Sequence, residues 1–326
     1  MSFGKDLQNT FHELTDGVFY YEDELITKLQ DALYILGSTK YHGVAELIHG
    51  DRCKISYQLG THAKYPSYGM INPVDGKTES MTKQVTPFFS NADDHVCELA
   101  DMMFIIFDEK ELRLLYLQNK RATNVPKIDG ELTFKADIEQ LMLLTFRPEI
   151  NAQDGKAFPE CAFDSNILAN ALLPSVGSYG VFYQEKGQIN MQYYPANRIY
   201  YNKHSMSEEP YVCFNLNREE PKFRFGEKRE KDGYIESIGE KTLIGFGDEL
   251  VDLHIGTPIR ITEDERTLAR IVSFLKKKSR VFTESNYHEQ LPSFILDDID
   301  YDQQETEPLL CCKALFVFDV CKYSYE

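Results

Sequence analysis

ELADMMFIIFDEKELRLLYLQNKRA, residues Glu98–Ala122, reads as one long hairpin with polar groups gathered at its open end. Two apolar runs, Met102–Phe107 and Leu112–Leu117, flank the charged loop Asp108–Glu111. Whether that loop holds two residues or four, pairing sets Phe107 against Leu112, and antiparallel register then places Asp101 opposite Gln118. Directly opposed residues share a sheet face. Side chains alternate along a strand, so Lys120, two residues past Gln118, falls on the same face. A carboxylate, an amide and an ammonium group are therefore expected to meet.

That trio suits metal-dependent cleavage of phosphodiesters. A carboxylate can hold a hard divalent cation that takes oxygen ligands and keeps several waters, while a lysine orients or acidifies the attacking water and offsets charge developing on phosphate oxygens. Asp101 followed by Gln118-Asn119-Lys120 resembles the PD-(D/E)XK nuclease superfamily in its Gln-x-Lys form, as in type IV restriction-like enzymes and bacterial anti-phage nucleases. The resemblance is specific over about 25 residues and looser over the first 150. It implies an α/β (α+β) fold, with a restriction endonuclease-like mixed sheet flanked by helices. Mg²⁺ or Mn²⁺ is the implied cofactor, with Asp101, Gln118 and Lys120 catalytic and Asp101 and the Gln118 carbonyl as metal ligands. Two positions depart from the pattern: Ala100 stands where the proline is expected, and Gln118 replaces the second acid. Another acid is then needed. Glu98, Glu46 and an acid of the first long helix such as Glu24 are the candidates, although strict alternation turns Glu98 away from Asp101 unless the chain bends. The plainer alternative is that strand ends meet solvent, and that Asp, Gln and Lys stand there for that reason alone.

The 326 residues suffice for one large core or two ordinary domains. A hydrophobic content of 42% and an aromatic content of 13% exclude a disordered chain. The net charge of −17 opposes phosphate binding unless basic residues cluster locally or a partner supplies the nucleic-acid surface. Seven cysteines, odd in number and without a CxxC pair, argue for reduced thiols in a cytoplasm and against zinc. No signal-like leader or membrane-length apolar run is seen, so a soluble cytoplasmic protein without membrane contact is expected.

Along the chain, apolar residues at helical spacing predict a helix over Asp23–Leu36, with Gly37 as its stop and the acids Glu22, Asp23 and Glu24 favoured by the dipole at its start. GVAELI and CKISYQL flank His49–Arg52 and read as a hairpin. Gly60–Asp94, broken by prolines and glycines, reads as a long loop whose Lys64, Lys77 and Lys83 are candidates for meeting phosphate. Phe134–Phe146 reads as a helix ended by Arg147-Pro148, with Gln140 and Arg147 on its edge as further phosphate candidates.

A connector at Asn151–Cys161 separates an expected nuclease-like domain, 1–150, from a strand-rich domain, 151–326, that regulates, oligomerises or docks a partner. Beyond it the sequence predicts a short helix over Phe163–Leu173, a turn at SVGSYG and a hairpin of GVFYQ with INMQYY. Strands are expected near Arg198–Tyr201 and Tyr211–Leu216, an exposed charged segment over Arg218–Lys241, a helix over Asp264–Lys278 and a strand at ALFVFDV. Nucleic-acid contacts are expected at Arg121 and at Lys276, Lys277 and Lys278. The expected function is a DNA endonuclease of bacterial anti-phage defence, working with a protein partner or as a homo-oligomer. The alternatives are a non-catalytic interaction subunit on a decayed nuclease fold and an RNA-directed nuclease.

Overall fold

The computed structural model describes residues 2–39, 43–47, 54–59, 70–71, 78–79, 94–108, 111–123, 131–135, 137–152, 166–201, 211–215, 228–231, 233–237, 242–259 and 312–320. Four α-helices lie within these residues: α1 (Phe3–Thr15), α2 (Glu22–Thr39), α3 (Ile138–Phe146) and α4 (Leu243–Val251). The strands, in chain order, are β1 (Gly43–Leu47), β2 (Lys54–Tyr57), β3 (Met70–Ile71), β4 (Thr78–Glu79), β5 (His95–Glu98), β6 (Ala100–Phe107), β7 (Leu112–Arg121), β8 (Glu131–Lys135) and β9 (Ile150–Ala152). They continue with β10 (Gly177–Glu185), β11 (Gln188–Pro195), β12 (Tyr200–Tyr201), β13 (Tyr211–Asn215), β14 (Lys228–Lys231), β15 (Tyr234–Ser237), β16 (Thr257–Pro258) and β17 (Cys312–Asp319).

A mixed sheet in the order β1-β17-β6-β7-β10-β11, with β16 also pairing β7, forms the centre of an α/β fold. β6 and β7 are the expected hairpin, and Phe107 faces Leu112 as the loop reasoning requires. β10 runs parallel to β7 and β17 parallel to β6, while β11 and β1 run antiparallel to their neighbours β10 and β17. Alternation gives the sheet two distinct faces. Met102, Phe104 and Ile106 of β6 and Leu115 and Leu117 of β7 join Phe182, Met191, Phe316 and Phe318 in one core with α1, α2 and α4. Both faces of β6 are buried along its whole length, as expected of a strand with parallel and antiparallel neighbours inside a layered fold. The opposite face carries Asp101, Gln118 and Tyr179 and meets α3 through Gln140.

Several expectations change. β1 and β2 are strands but not a hairpin: β1 pairs β17, whereas β2 pairs β5 and β9 in a separate sheet, because distant strands complete each of them better than each other. Gly37 does not stop α2, which runs on to Thr39. The burial of Leu33 and Leu36 against the core outweighs the cost of about 1 kcal/mol for a mid-helix glycine. Phe134 belongs to strand β8, paired with β13, and the helix begins only after Asp137 caps it by accepting from the Glu139 and Gln140 N–H groups. Residues 166–170 form turns rather than a helix, and Gly177–Gly180, read as turn, opens β10. The charged segment supplies the strands β14 and β15, and its Glu236 is buried. Helices α1 and α4 were not expected. The predicted helix over 264–278 lies outside the described residues, as does most of the loop over 60–94, of which Met70–Ile71 and Thr78–Glu79 pair as β3 and β4.

The boundary expected near residue 150 falls inside the strand set of the central sheet. β10, β11, β16 and β17 follow it in sequence, yet β10 and β16 pair with β7, and β17 pairs with β6. Among the described residues no helix is long and apolar enough to cross a membrane.

Candidate functional site at the end of the central hairpin

Asp101 sits one step beyond the Met102–Leu117 pair and is wholly buried. Its Oδ2 accepts from Gln118 Nε2 at 2.8 Å and from the Asn119 backbone N–H at 2.8 Å, so the face-sharing inferred from alternation is realised as direct contact. The Gln118 carbonyl is turned elsewhere: its Oε1 accepts from Gln140 Nε2 at 2.6 Å. Gln140 also donates to the Glu98 carbonyl at 3.1 Å, tying α3 to the chain just before β6. Gln140 is thus buried and engaged rather than a surface phosphate contact. Arg147, the other edge residue, occupies the left-handed region that ends α3 (φ 53°) and donates to the Ala171 carbonyl at 3.0 Å. Burial lowers its basicity, and Glu236 nearby partly restores it.

Lys120 makes its contact across the end of the sheet. Its Nζ lies 3.0 Å from Glu22 Oε1, and the other oxygen of Glu22 accepts from the Arg121 backbone N–H at 2.9 Å. The Lys120 and Glu22 side chains are 17% and 34% exposed, so this pair forms the solvent-facing rim beside a buried Asp101. Glu22 therefore does more at the start of α2 than complement the dipole. Glu24, the acid of this helix singled out from sequence, is engaged locally, accepting from the Tyr21 N–H at 3.2 Å in the manner of a capping box. Arg121 places its guanidinium 4.0 Å over the Phe19 ring, which holds it against the α1–α2 connection.

The remaining acids considered from sequence stand apart. Glu98 belongs to β5, in the sheet with β2 and β9, and Leu99 separates it from β6. Glu46 lies on β1, which β17 separates from β6. Among the described residues no three or more His, Cys, Asp or Glu side chains gather closely enough to hold a metal ion by themselves. Lys276, Lys277 and Lys278, like Lys64, Lys77 and Lys83, lie outside the described residues.

Tyr179, which sequence reasoning passed over, lies beside Gln118 on β10 and is wholly buried. Its ring packs on Phe134 with centroids 5.7 Å apart. Burial, reinforced by Asp137, Cys97, Asp101 and Glu22, holds its phenol well above the ordinary tyrosine range, so it stays protonated. Cys97 is likewise pushed up by burial and by Asp137 and Glu139, which makes it an inert thiol rather than a nucleophile. Tyr179 had no sequence signal of its own, and although Glu22 and Gln140 were singled out, one for the helix dipole and the other as a phosphate contact, their contacts with the hairpin were not legible, since each reaches it from a separate element. No family model, no curated protein and no solved structure matches this chain.

Proposed function

We propose that this chain is a metal-dependent endonuclease with a restriction endonuclease-like core, hydrolysing DNA phosphodiester bonds in the cytoplasm of a bacterium as part of anti-phage defence. The observation that carries the reading is the presence, at one end of the hairpin, of two hydrogen-bonded pairs, Asp101 with Gln118 and Lys120 with Glu22 from a separate helix. Gln118 in place of a second carboxylate left the site short of an acid, and Glu22 stands beside the lysine. The order β6, β7, β8, α3, β9, β10, in which the hairpin is followed, after one further strand, by a helix and later by a strand parallel to the hairpin's second member, supports the same core.

A magnesium-like cation suits this sparse donor set, since it binds through one or two carboxylates and keeps several waters. Asp101 would hold it, and the wholly buried Tyr179 hydroxyl, which has no hydrogen-bond partner among the described residues, marks a place where a further polar group fits. When bound, such a cation acidifies water and offsets charge on phosphate oxygens. The protein's own residues do the rest. Gln118 fixes the rotamer of Asp101, Gln140 fixes Gln118, and Lys120 supplies a positive charge at the rim whose pairing with Glu22 keeps it extended over the strand end. With a net charge of −17, a protein partner or a second copy is expected to supply much of the DNA-binding surface.

A second reading, a non-catalytic interaction subunit, is favoured by one observation: Asp101 is fully enclosed and Lys120 is already neutralised by Glu22. Cleavage of plasmid DNA and of single-stranded RNA in Mg²⁺ or Mn²⁺, with and without excess chelator, separates the two. We expect chelator-sensitive DNA cleavage that falls by about 10²–10³ in Lys120→Ala, the scale of removing one charge-stabilising group. Absence of cleavage under all these conditions favours the subunit, and preferential cleavage of RNA redirects the substrate.

A further inference from the structure

Asp101, Gln118 and Tyr179 occupy adjacent positions on three neighbouring strands, β6, β7 and β10, and point to the same face. The first two are hydrogen-bonded, to each other and onward to Gln140. Tyr179 is not: its hydroxyl is buried and has no hydrogen-bond partner among the described residues. Buried polar groups in native proteins are nearly always paired, so an orphaned hydroxyl at a definite place calls for a reason. Two features keep this one fixed. The backbone is held on both sides, by β7 and by β11, and the ring lies against Phe134.

The surroundings say what kind of group it awaits. Asp101 shares the sheet face of Tyr179, and Glu22 accepts from the Arg121 N–H at the end of the neighbouring strand β7. Tyr179 is therefore an O–H beside carboxylates. An anion entering alone would be repelled there, whereas a hydrated cation would be drawn in, and its waters both donate and accept hydrogen bonds. Lys120 and Glu22 keep partial exposure at the end of the hairpin, while Asp101 and Tyr179 have none.

We propose that Tyr179 is a positioning residue for the cation, its hydroxyl hydrogen-bonding a water of the hydrated ion held at Asp101. The proposal rests on the metal-dependent reading above. It makes Tyr179 an outer partner of the ion rather than a ligand.

The test uses the full chain and Mn²⁺ alone, with binding measured by calorimetry and melting measured with and without the ion. In Tyr179→Phe the Mn²⁺ affinity should fall about 10–100-fold, the usual effect of removing an outer-shell partner. Without metal the same variant should melt at the parent temperature or roughly 2–4 °C above it, because an unpaired buried hydroxyl has been removed. A purely structural hydroxyl predicts the reverse pair of results: unchanged affinity and a lower melting temperature. Either of those outcomes overturns the proposal. Asp101→Asn separates this from the parent reading. If the parent binds Mn²⁺ and Asp101→Asn does not, while Tyr179→Phe binds as tightly as the parent, the role of Tyr179 alone is lost. If the parent binds no Mn²⁺, or Asp101→Asn binds it equally well, the metal site and the role of Tyr179 fall together.

Discussion

Asn119 interrupts the apolar inner face of β7, two residues past Leu117, and is wholly buried, with neither oxygen nor nitrogen of its amide hydrogen-bonded among the described residues. The residue opposite is Gly180, where a Cβ would stand 2.8 Å from Asn119 Oδ1, so the amide occupies space that the glycine leaves. Its backbone N–H serves Asp101, but its side chain serves nothing among the described residues. A buried polar group without partners costs about 1–3 kcal/mol. Asn119→Leu, similar in length and apolar, should therefore stabilise the protein by roughly 1 kcal/mol or more, seen as a higher denaturant midpoint with an unchanged slope. A lower midpoint would mean that the amide has a partner or that the cavity cannot take a branched side chain. At the rim the expectation differs. Lys120→Ala removes half of a partly exposed ion pair, so its thermal midpoint should stay near the parent's, the loss being within about 1 kcal/mol. Asp101→Ala, by contrast, strips the acceptor from two buried donors and should destabilise by about 1–3 kcal/mol in metal-free buffer. That strong coupling of Asp101 to its neighbours is a correction to any view of it as an acid simply waiting at a strand mouth.

Helices α1 and α4 cross where glycine meets glycine. A Cβ on Gly247 would stand 2.6 Å from the Gly4 Cα, and one on Gly4 would run into the Ile244 carbonyl oxygen, so neither position has room for any side chain. The approach lets the Gly4 N–H donate to Asp248 Oδ1 at 2.7 Å, which satisfies an early helical N–H across the helix pair. Gly247→Ala should push the helices apart and cost about 1–3 kcal/mol, measurable by chemical denaturation, even though alanine favours a helix more than glycine does. How much of such packing was legible varied with the range of the interaction. The hairpin β6–β7 was readable because its register follows from a short loop and two apolar runs, and the Asp101–Gln118 contact came with it. Helix α1 was readable in principle: Phe3, Leu7 and Phe11 recur every fourth residue behind the capping Ser2. The pairing of β1 with β17 and the arrival of Glu22 at Lys120 were not readable, since local periodicity carries no information about which distant element will complete an edge or a strand end.

At the scale of the molecule, one sheet joins strands from both sides of residue 150. Phe316 of β17 is buried and stacks on Phe104 of β6 with ring centroids 5.0 Å apart. Phe316→Ala should cost about 3–5 kcal/mol. Because β17 and β10 flank the hairpin, that loss should lower the melting of the whole sheet, and probes of the hairpin and of α4 should report one coincident transition. Two separated transitions would instead restore a division near residue 150. The same strand has a consequence for biosynthesis. Ala100 pairs with Cys312, so the hairpin leaves the ribosome long before the neighbour that covers its β6 edge. At about 5–20 residues per second, the edge of an entirely apolar strand, Met102–Phe107, would wait on the order of 10–40 s for its partner. Over that interval the nascent chain presents an unpaired strand to any other copy nearby, and its yield in the cell should depend on chaperone capacity as much as on the stability of the finished fold.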